Sequence, residues 1–156
     1  MKLYHASTIP VTRPDTAHSR EYLDFGRGFY LTSIKEQAIK YGQRFIRRNR
    51  NAWLSIYDFE YDIAEWKIRQ FDAYDKEWLQ FIAKCRAGND DSDYDMVIGG
   101  IANDKVIQTL DRYFGGEIQE SETLGLLKFE KPNIQYCIRN QRMLDLCLKH
   151  TESTLL

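Results

Sequence analysis

Four side chains in three separated stretches are equipped to handle a small ligand: His5, Tyr30 with Tyr41, and Gln135. An imidazole can donate, accept or carry a proton. A tyrosine face stacks on an electron-poor ring, and a carboxamide accepts a hydroxyl hydrogen bond but supplies no charge. Each also has an ordinary structural reading. A single histidine is more often hydrogen-bonded scaffold, a tyrosine near a helix start commonly packs beneath the neighbouring strand, and Gln135 can be a polar residue on a sheet face. Gly26 and Gly28 alone report a turn that needs positive φ, and an isolated Gly-x-Gly says little about nucleotides.

The local patterns say what must carry these groups. Lys2–Ser7 alternates apolar and polar residues as a half-buried strand, and residues 8–15, with two prolines, cannot extend it. The turn-prone stretch Asp24-Phe25-Gly26-Arg27-Gly28 feeds a second strand, Phe29–Thr32. A helix over 34–48 follows, with Ser33 and Glu36 at capping-box spacing and Ile34, Ala38, Tyr41 and Phe45 on one face. Strands are predicted at 53–61 and, less regularly, 67–71, then a helix over 76–85 and an exposed acidic loop at 88–93. Residues 94–101 are apolar with a Gly99-Gly100 break, Asn103 can cap a helix that Gly115-Gly116 ends, and a shorter helix covers 120–128. After Lys131-Pro132 comes a strand at 134–138, then a helix capped by Asn140 and running to about Lys149. We expect one domain over residues 1–150 and a frayed tail at 151–156.

Composition narrows the classes. With 156 residues, 43% hydrophobic and 29% charged, the chain suits one well-cored domain and neither a disordered segment nor a membrane span. The opening Met1–His5 has no apolar leader or small-residue cleavage site, so a cytoplasmic location is expected. Cys85, Cys137 and Cys147 have no metal-ligand spacing and read as buried or incidental thiols. His18 and His150 are too isolated for a dyad or a metal, and no metal site is expected. A net charge of -1 gives no chain-wide pull on nucleic acid, although Arg44, Arg47, Arg48 and Arg50 cluster locally.

Leu3-Tyr4-His5-Ala6-Ser7, Gly26-Arg27-Gly28-Phe29-Tyr30-Leu31-Thr32 and Asn133-Ile134-Gln135-Tyr136, in that order, resemble the three motifs of ADP-ribosyltransferases, in the diphtheria-toxin and poly(ADP-ribose) polymerase branch. Tyr41 stands eleven positions after Tyr30, a spacing also found in those polymerases. The chain is similar, too, over nearly its whole length, to small prokaryotic domains of uncharacterised function with a late Asn-x-Gln strand and a segment like Tyr94–Gly99; there Asp95, Asn103 and Asp104 mark a second surface.

The resemblance implies an α+β fold of split antiparallel sheets flanked by helices, with an NAD+ cleft between the first two motif strands and the late strand. It implies His5, Tyr30 and Gln135 as catalytic positions, and His5, Ala6, Ser7, Gly28, Tyr30, Ala38, Tyr41 and Gln135 as the NAD+ contacts. Tyr30 and Tyr41 would sandwich the nicotinamide, His5 would bond the adenosine ribose, and the backbone at Ala6 would hold the nicotinamide amide. Three departures stand out: Ala6 replaces a glycine, Ala38 a serine that contacts nicotinamide, and Gln135 the glutamate that stabilises the ribose cation as nicotinamide leaves. Losing the serine would cost about 1 kcal/mol of affinity.

The activity so implied is transfer of single ADP-ribose units from NAD+ to a protein or nucleic acid, without a metal or a membrane. Glu117 or Glu120 would be borrowed if a carboxylate is needed. Such domains resemble toxin or phage-defence effectors restrained by an antitoxin-like partner. The alternative expectations are a non-catalytic NAD+ or ADP-ribose binding module, and an interaction domain that uses its aromatic surface and arginines on protein or RNA.

Overall fold

Alternation along the strands sorts side chains onto two faces, and the computed structural model, which describes residues 1–20 and 22–156, shows what each face meets. Strand β1 (Lys2–Ser7), β3 (Trp53–Phe59) and β7 (Leu148–Leu155) form an antiparallel sheet in the order β1-β3-β7. A second sheet has the order β2-β6-β5-β4, from β2 (Phe29–Leu31), β6 (Asn133–Ile138), β5 (Met96–Ile101) and β4 (Ile68–Gln70). Five helices complete the chain: α1 (Lys35–Ile46), α2 (Lys76–Arg86), α3 (Asp104–Phe114), α4 (Glu120–Leu127) and α5 (Gln141–Cys147).

The architecture is α+β with two stacked sheets. Leu3, Tyr57 and Phe59 from one sheet meet Phe29, Leu31, Met96, Ile98 and Ile138 from the other, and this interior is the main core. Leu54 and Ile56 point to the opposite side of β3 and receive Ala38 of α1. Val97 and Cys137 point outward from the second sheet and are covered by Trp78, Ile82, Val106 and Leu110 of α2 and α3. At about 25 cal/mol per Å² of apolar area, burying each such side chain contributes roughly 1.5–3 kcal/mol, so the sheets are bound mainly by this layer.

The two sheets touch at one backbone bridge, where Tyr4 N–H donates to Thr32 O at 2.8 Å and Thr32 N–H to Tyr4 O at 3.0 Å. Beyond it β1 and β2 diverge, and the candidate site lies there.

Several expectations need correction. The tail is not frayed: the last helix stops at Cys147, residues 148–155 are strand β7 along β3, and Leu156 N–H donates to Ala52 O at 2.9 Å. The sheets are not wholly antiparallel, because β4 runs parallel to β5, as a strand pair joined through helix α2 can. Gly99-Gly100 does not break β5; the strand runs straight through, and the glycines make room for Phe25 and Phe71 at 99 and Tyr74 at 100. The 88–93 loop is not simply exposed, since the Asp90 carboxylate is 12% exposed and paired with Arg139 at 2.6 Å.

The caps at Asn103 and Asn140 form as predicted, accepting from Val106 N and Arg142 N. The Ser33 and Glu36 capping box does not. Thr32 Oγ1 instead accepts from Ile34 N and donates to Gln37 Oε1 at 2.8 Å, which ties the entry to α1 to its first turn.

Candidate functional site

Where β1 and β2 part, the chain encloses a cavity of about 870 Å³, within the range of roughly 300–1,000 Å³ usual for ligand pockets. Its walls come from β1, β2, α1 and Arg50 beyond it, residues 8–13, 15, 18–20 and 23–24 of the intervening loop, Gln135 of β6, and Arg86, Ile101 and Ile107. His5, Ala6, Ser7, Gly28, Tyr30, Ala38, Tyr41 and Gln135 all line it, although they are drawn from four distant parts of the chain.

His5 is fixed by two contacts. Its ring lies 4.4 Å from that of Phe29, and its Nδ1 stands 2.8 Å from Tyr30 O. A carbonyl only accepts, so Nδ1 carries the proton and Nε2 of the neutral ring is left as an acceptor. Burial lowers the His5 pKa from 6.5, with the Tyr30 carbonyl opposing that shift, and the ring is held neutral.

Tyr30 has already used its hydroxyl: it donates to Gly26 O at 2.6 Å and accepts from Phe25 N at 3.1 Å. Burial raises its pKa, so the group stays a phenol. Its ring lies nearly parallel to that of Phe25, with centroids 6.5 Å apart. Tyr30 can therefore give a ligand its ring and not its hydroxyl, while it closes the 25–30 turn. Gly26 sits at φ 76°, the left-handed conformation expected. Gly28 does not need positive φ; its reason is proximity, since a Cβ there would lie 2.5 Å from Cys137 Sγ.

Tyr41 is 47% exposed, with its ring edge-on to Phe45 at 5.6 Å and the Arg44 guanidinium 5.4 Å from its centroid. Ala38 is buried against β3, and Gly42, one turn on, leaves room for Leu156, whose Cδ1 would lie 2.7 Å from a Cβ there. The Ser7 hydroxyl is engaged with Ile9 O, which leaves backbone groups as what this stretch offers a ligand.

Gln135 pairs with Gly99 on β5, and strand alternation puts it on the same face as Cys137, which itself pairs with Tyr30. Its carboxamide has no hydrogen-bond partner among the described residues, so both ends of the amide are open to a ligand. Glu117 and Glu120 do not line the cavity; they pair with Arg112 at 3.4 Å and Lys76 at 3.7 Å. The lining carboxylates, among the described residues, are Asp15 and Asp24. Asp15 holds the His18 ring at 2.7 Å, and Asp24 holds Arg86 at 2.6 Å and Ala102 N at 3.1 Å.

Those two acids, and Arg13, Arg20 and Arg86 beside them, are missing from the sequence reading, which gives Arg50 only as part of a local basic cluster. Nothing local marks them: the 8–24 loop is placed by Val11, whose N–H donates to Ser55 Oγ at 3.1 Å and whose carbonyl accepts from Tyr57 OH at 2.7 Å. A contact across more than forty residues leaves no short-range pattern.

A second cavity, of about 740 Å³, is lined by Asp90, Ser92, Asp95 and Arg139 among others. Its polar groups are spent on one another. Arg139 bonds Asp90 and Ser92, while Asp95 accepts from Asn140 Nδ2 at 2.6 Å and Lys67 N at 2.8 Å. Asp95 thus ties the β4 entry to the β6–α5 corner, and Asn103 is a helix cap.

The cysteines are buried thiols, with burial pushing Cys85 and Cys137 up to about 12. Among the described residues no group of three or more His, Cys, Asp or Glu can hold a metal ion, and no helix is long and apolar enough to cross a membrane. Comparison with curated proteins and with solved structures yields no match. A family described as Protein of unknown function (DUF3990) matches residues 1–150, and the chain belongs to that family.

Proposed function

We propose that the chain is an ADP-ribosyltransferase-like domain that binds NAD+ in the β1–β2 cavity and transfers single ADP-ribose units to a macromolecular acceptor. One observation carries this reading: the eight positions that the motifs single out, spread from His5 to Gln135, line a single cavity. In the reaction the bond from ribose C1′ to the nicotinamide nitrogen breaks and its electron pair leaves with nicotinamide. An acceptor lone pair forms the new bond at C1′ and the acceptor proton passes to solvent.

The residues suit these tasks unevenly. Neutral His5, its tautomer set by Tyr30 O, offers Nε2 to a ribose hydroxyl. The rings of Tyr30 and Tyr41 are suited to a cationic pyridinium, which gains from aromatic faces and from exclusion of water. Gln135 can accept a ribose hydroxyl bond but offers no charge as positive character grows at C1′, so turnover is slow. A restraining partner would act by covering the same mouth.

A second reading, an NAD+-binding module without turnover, is favoured by one observation: each lining carboxylate already holds a cation or a ring, and Gln135 stands where a charge is wanted. Two measurements separate these. NAD+ should raise the melting temperature, by an amount equivalent to about 2.7 kcal/mol at a hundredfold excess over Kd. Tyr41→Ala, at an exposed position, should remove most of that rise. Nicotinamide released over hours then distinguishes enzyme from module. No rise with millimolar NAD+ would refute both.

A further inference from the structure

We propose that the mouth of this cavity is a docking surface for single-stranded nucleic acid, making nucleic acid the acceptor of the proposed transfer. The role as acceptor rests on that reading; the surface itself rests on the charges around the mouth.

The whole chain has a net charge of -1, yet four arginines line this cavity against two aspartates. Arg47 and Arg48 follow the end of helix α1, beside the cavity's lining and not in it, and Asn49 at φ 55° turns the chain so that Arg50 N–H donates to Phe45 O at 3.0 Å. That turn is what brings Arg50 to the cavity lip. Arg13 and Arg20 stand on the loop that forms the other wall. All five side chains are exposed, and none has an ion-pair or side-chain hydrogen-bond partner among the described residues. Of the lining acids, Asp24 is paired with Arg86 at 2.6 Å and Asp15 is hydrogen-bonded to the His18 ring.

Arginine at a helix C-terminus is ordinarily explained by the helix dipole. That account covers Arg47, Arg48 and Arg50 and says nothing of Arg13 and Arg20, which belong to no helix. Cations on both lips, all arginine and none lysine among the cavity's lining residues, suit a ligand that carries its charge as repeated phosphates, which a guanidinium fork meets with two hydrogen bonds. Between them lie Tyr41 and Phe45, flat rings at the rim on which a base can stack. A duplex offers no free base to a recessed cavity, whereas an unstacked strand can pass one inward.

The test is binding of a fluorescent single-stranded oligonucleotide to the full chain by anisotropy, without NAD+, from 50 to 200 mM salt. With about five phosphates neutralised, affinity should fall roughly 100-fold across that range. Replacing Arg13, Arg20, Arg47 and Arg48 by alanine should weaken binding at least tenfold and flatten the salt slope by about 0.7 per arginine removed. The same variant should keep its NAD+-induced rise in melting temperature. Three results would overturn the proposal: no binding at 50 mM salt, binding indifferent to the four replacements, or tighter binding of a poly-glutamate peptide. If the replacements abolish the NAD+ effect as fully as oligonucleotide binding, the arginines serve the dinucleotide's diphosphate and the proposal also falls. Oligonucleotide binding with no NAD+ effect would leave the surface standing and remove the transferase reading.

Discussion

Gly28→Ala tests how β2, and with it Tyr30, is held against β6. A Cβ at this position would stand 2.5 Å from Cys137 Sγ, 2.8 Å from Ile138 O and 3.3 Å from Arg139 Cγ. Cys137 and Ile138 are both 0% exposed, so neither group can swing into solvent and the strand itself must move. Overpacking of this kind costs about 1–3 kcal/mol, and a clash with a backbone oxygen belongs at the upper end. For a chain of this size that is a fall in melting temperature of roughly 2–12 °C. Cys137→Ala alone empties one sulfur's volume from the core and costs about 1 kcal/mol. In the double variant the sulfur clash is gone while the carbonyl clash remains, so the combined loss should fall short of the sum by about 1–2 kcal/mol. Urea denaturation of the parent, both single variants and the double variant measures this coupling. Moving β2 also draws the Tyr30 carbonyl from His5, so the NAD+-induced rise should shrink in Gly28→Ala and recover in part in the double variant. A neutral Gly28→Ala, or strict additivity of the two changes, refutes the reasoning.

Restoring a carboxylate by Gln135→Glu should speed nicotinamide release by about 10²–10³, the usual worth of one preorganised electrostatic group; an unchanged rate would mean that the side chain does not face the reacting carbon. Deleting residues 151–156 removes the Thr151 bond to Ile56 O at 3.0 Å, the Ser153 bond to Ser55 at 3.0 Å and the contact of Leu156 with the α1 side of the sheet. The loss should be about 2–4 kcal/mol in a urea titration, where a frayed end would give none. His5 sets a pH window: its folded pKa lies below 6.5, so on acidification the unfolded chain takes up the proton first. Its contribution is complete above pH 6.5 and lost as pH falls toward the folded value, and His5→Gln should flatten that part of the stability profile. Arg139→Ala would strand the 12%-exposed Asp90 and should cost about 3–5 kcal/mol by thermal melting.

The elements that could be read from the sequence were those whose signals are local. Residues 34–48 announced α1 by periodicity, and Asn103 and Asn140 announced helix starts because a short polar side chain bonds a backbone N–H two or three residues on. Strand β7 gave no such signal. Lys149, Thr151 and Glu152 are polar, and what makes the segment a strand is its pairing along β3, about a hundred residues earlier in the chain. Gly99-Gly100 misled for a related reason, since a glycine dipeptide marks a turn only when no partner needs the space, and here Phe71 and Tyr74 fill it.

The same division runs through the site. His5, Tyr30 and Gln135 sit inside motifs, so their joint presence at one cavity could be expected; Arg13 and Arg20 at the rim could not, because the path of their loop is decided by Val11 meeting Ser55 and Tyr57. Motif positions lie on strands whose register is set by the core: Tyr30 opposes Cys137, and Gln135 opposes Gly99. Loop positions have no register to inherit. The parts of the cavity proposed for the dinucleotide are therefore fixed by the fold, while the charges around its mouth can change without disturbing the core. Selectivity for the acceptor should accordingly follow Arg13, Arg20, Arg47 and Arg48, and affinity for NAD+ should follow His5, Tyr30 and Tyr41.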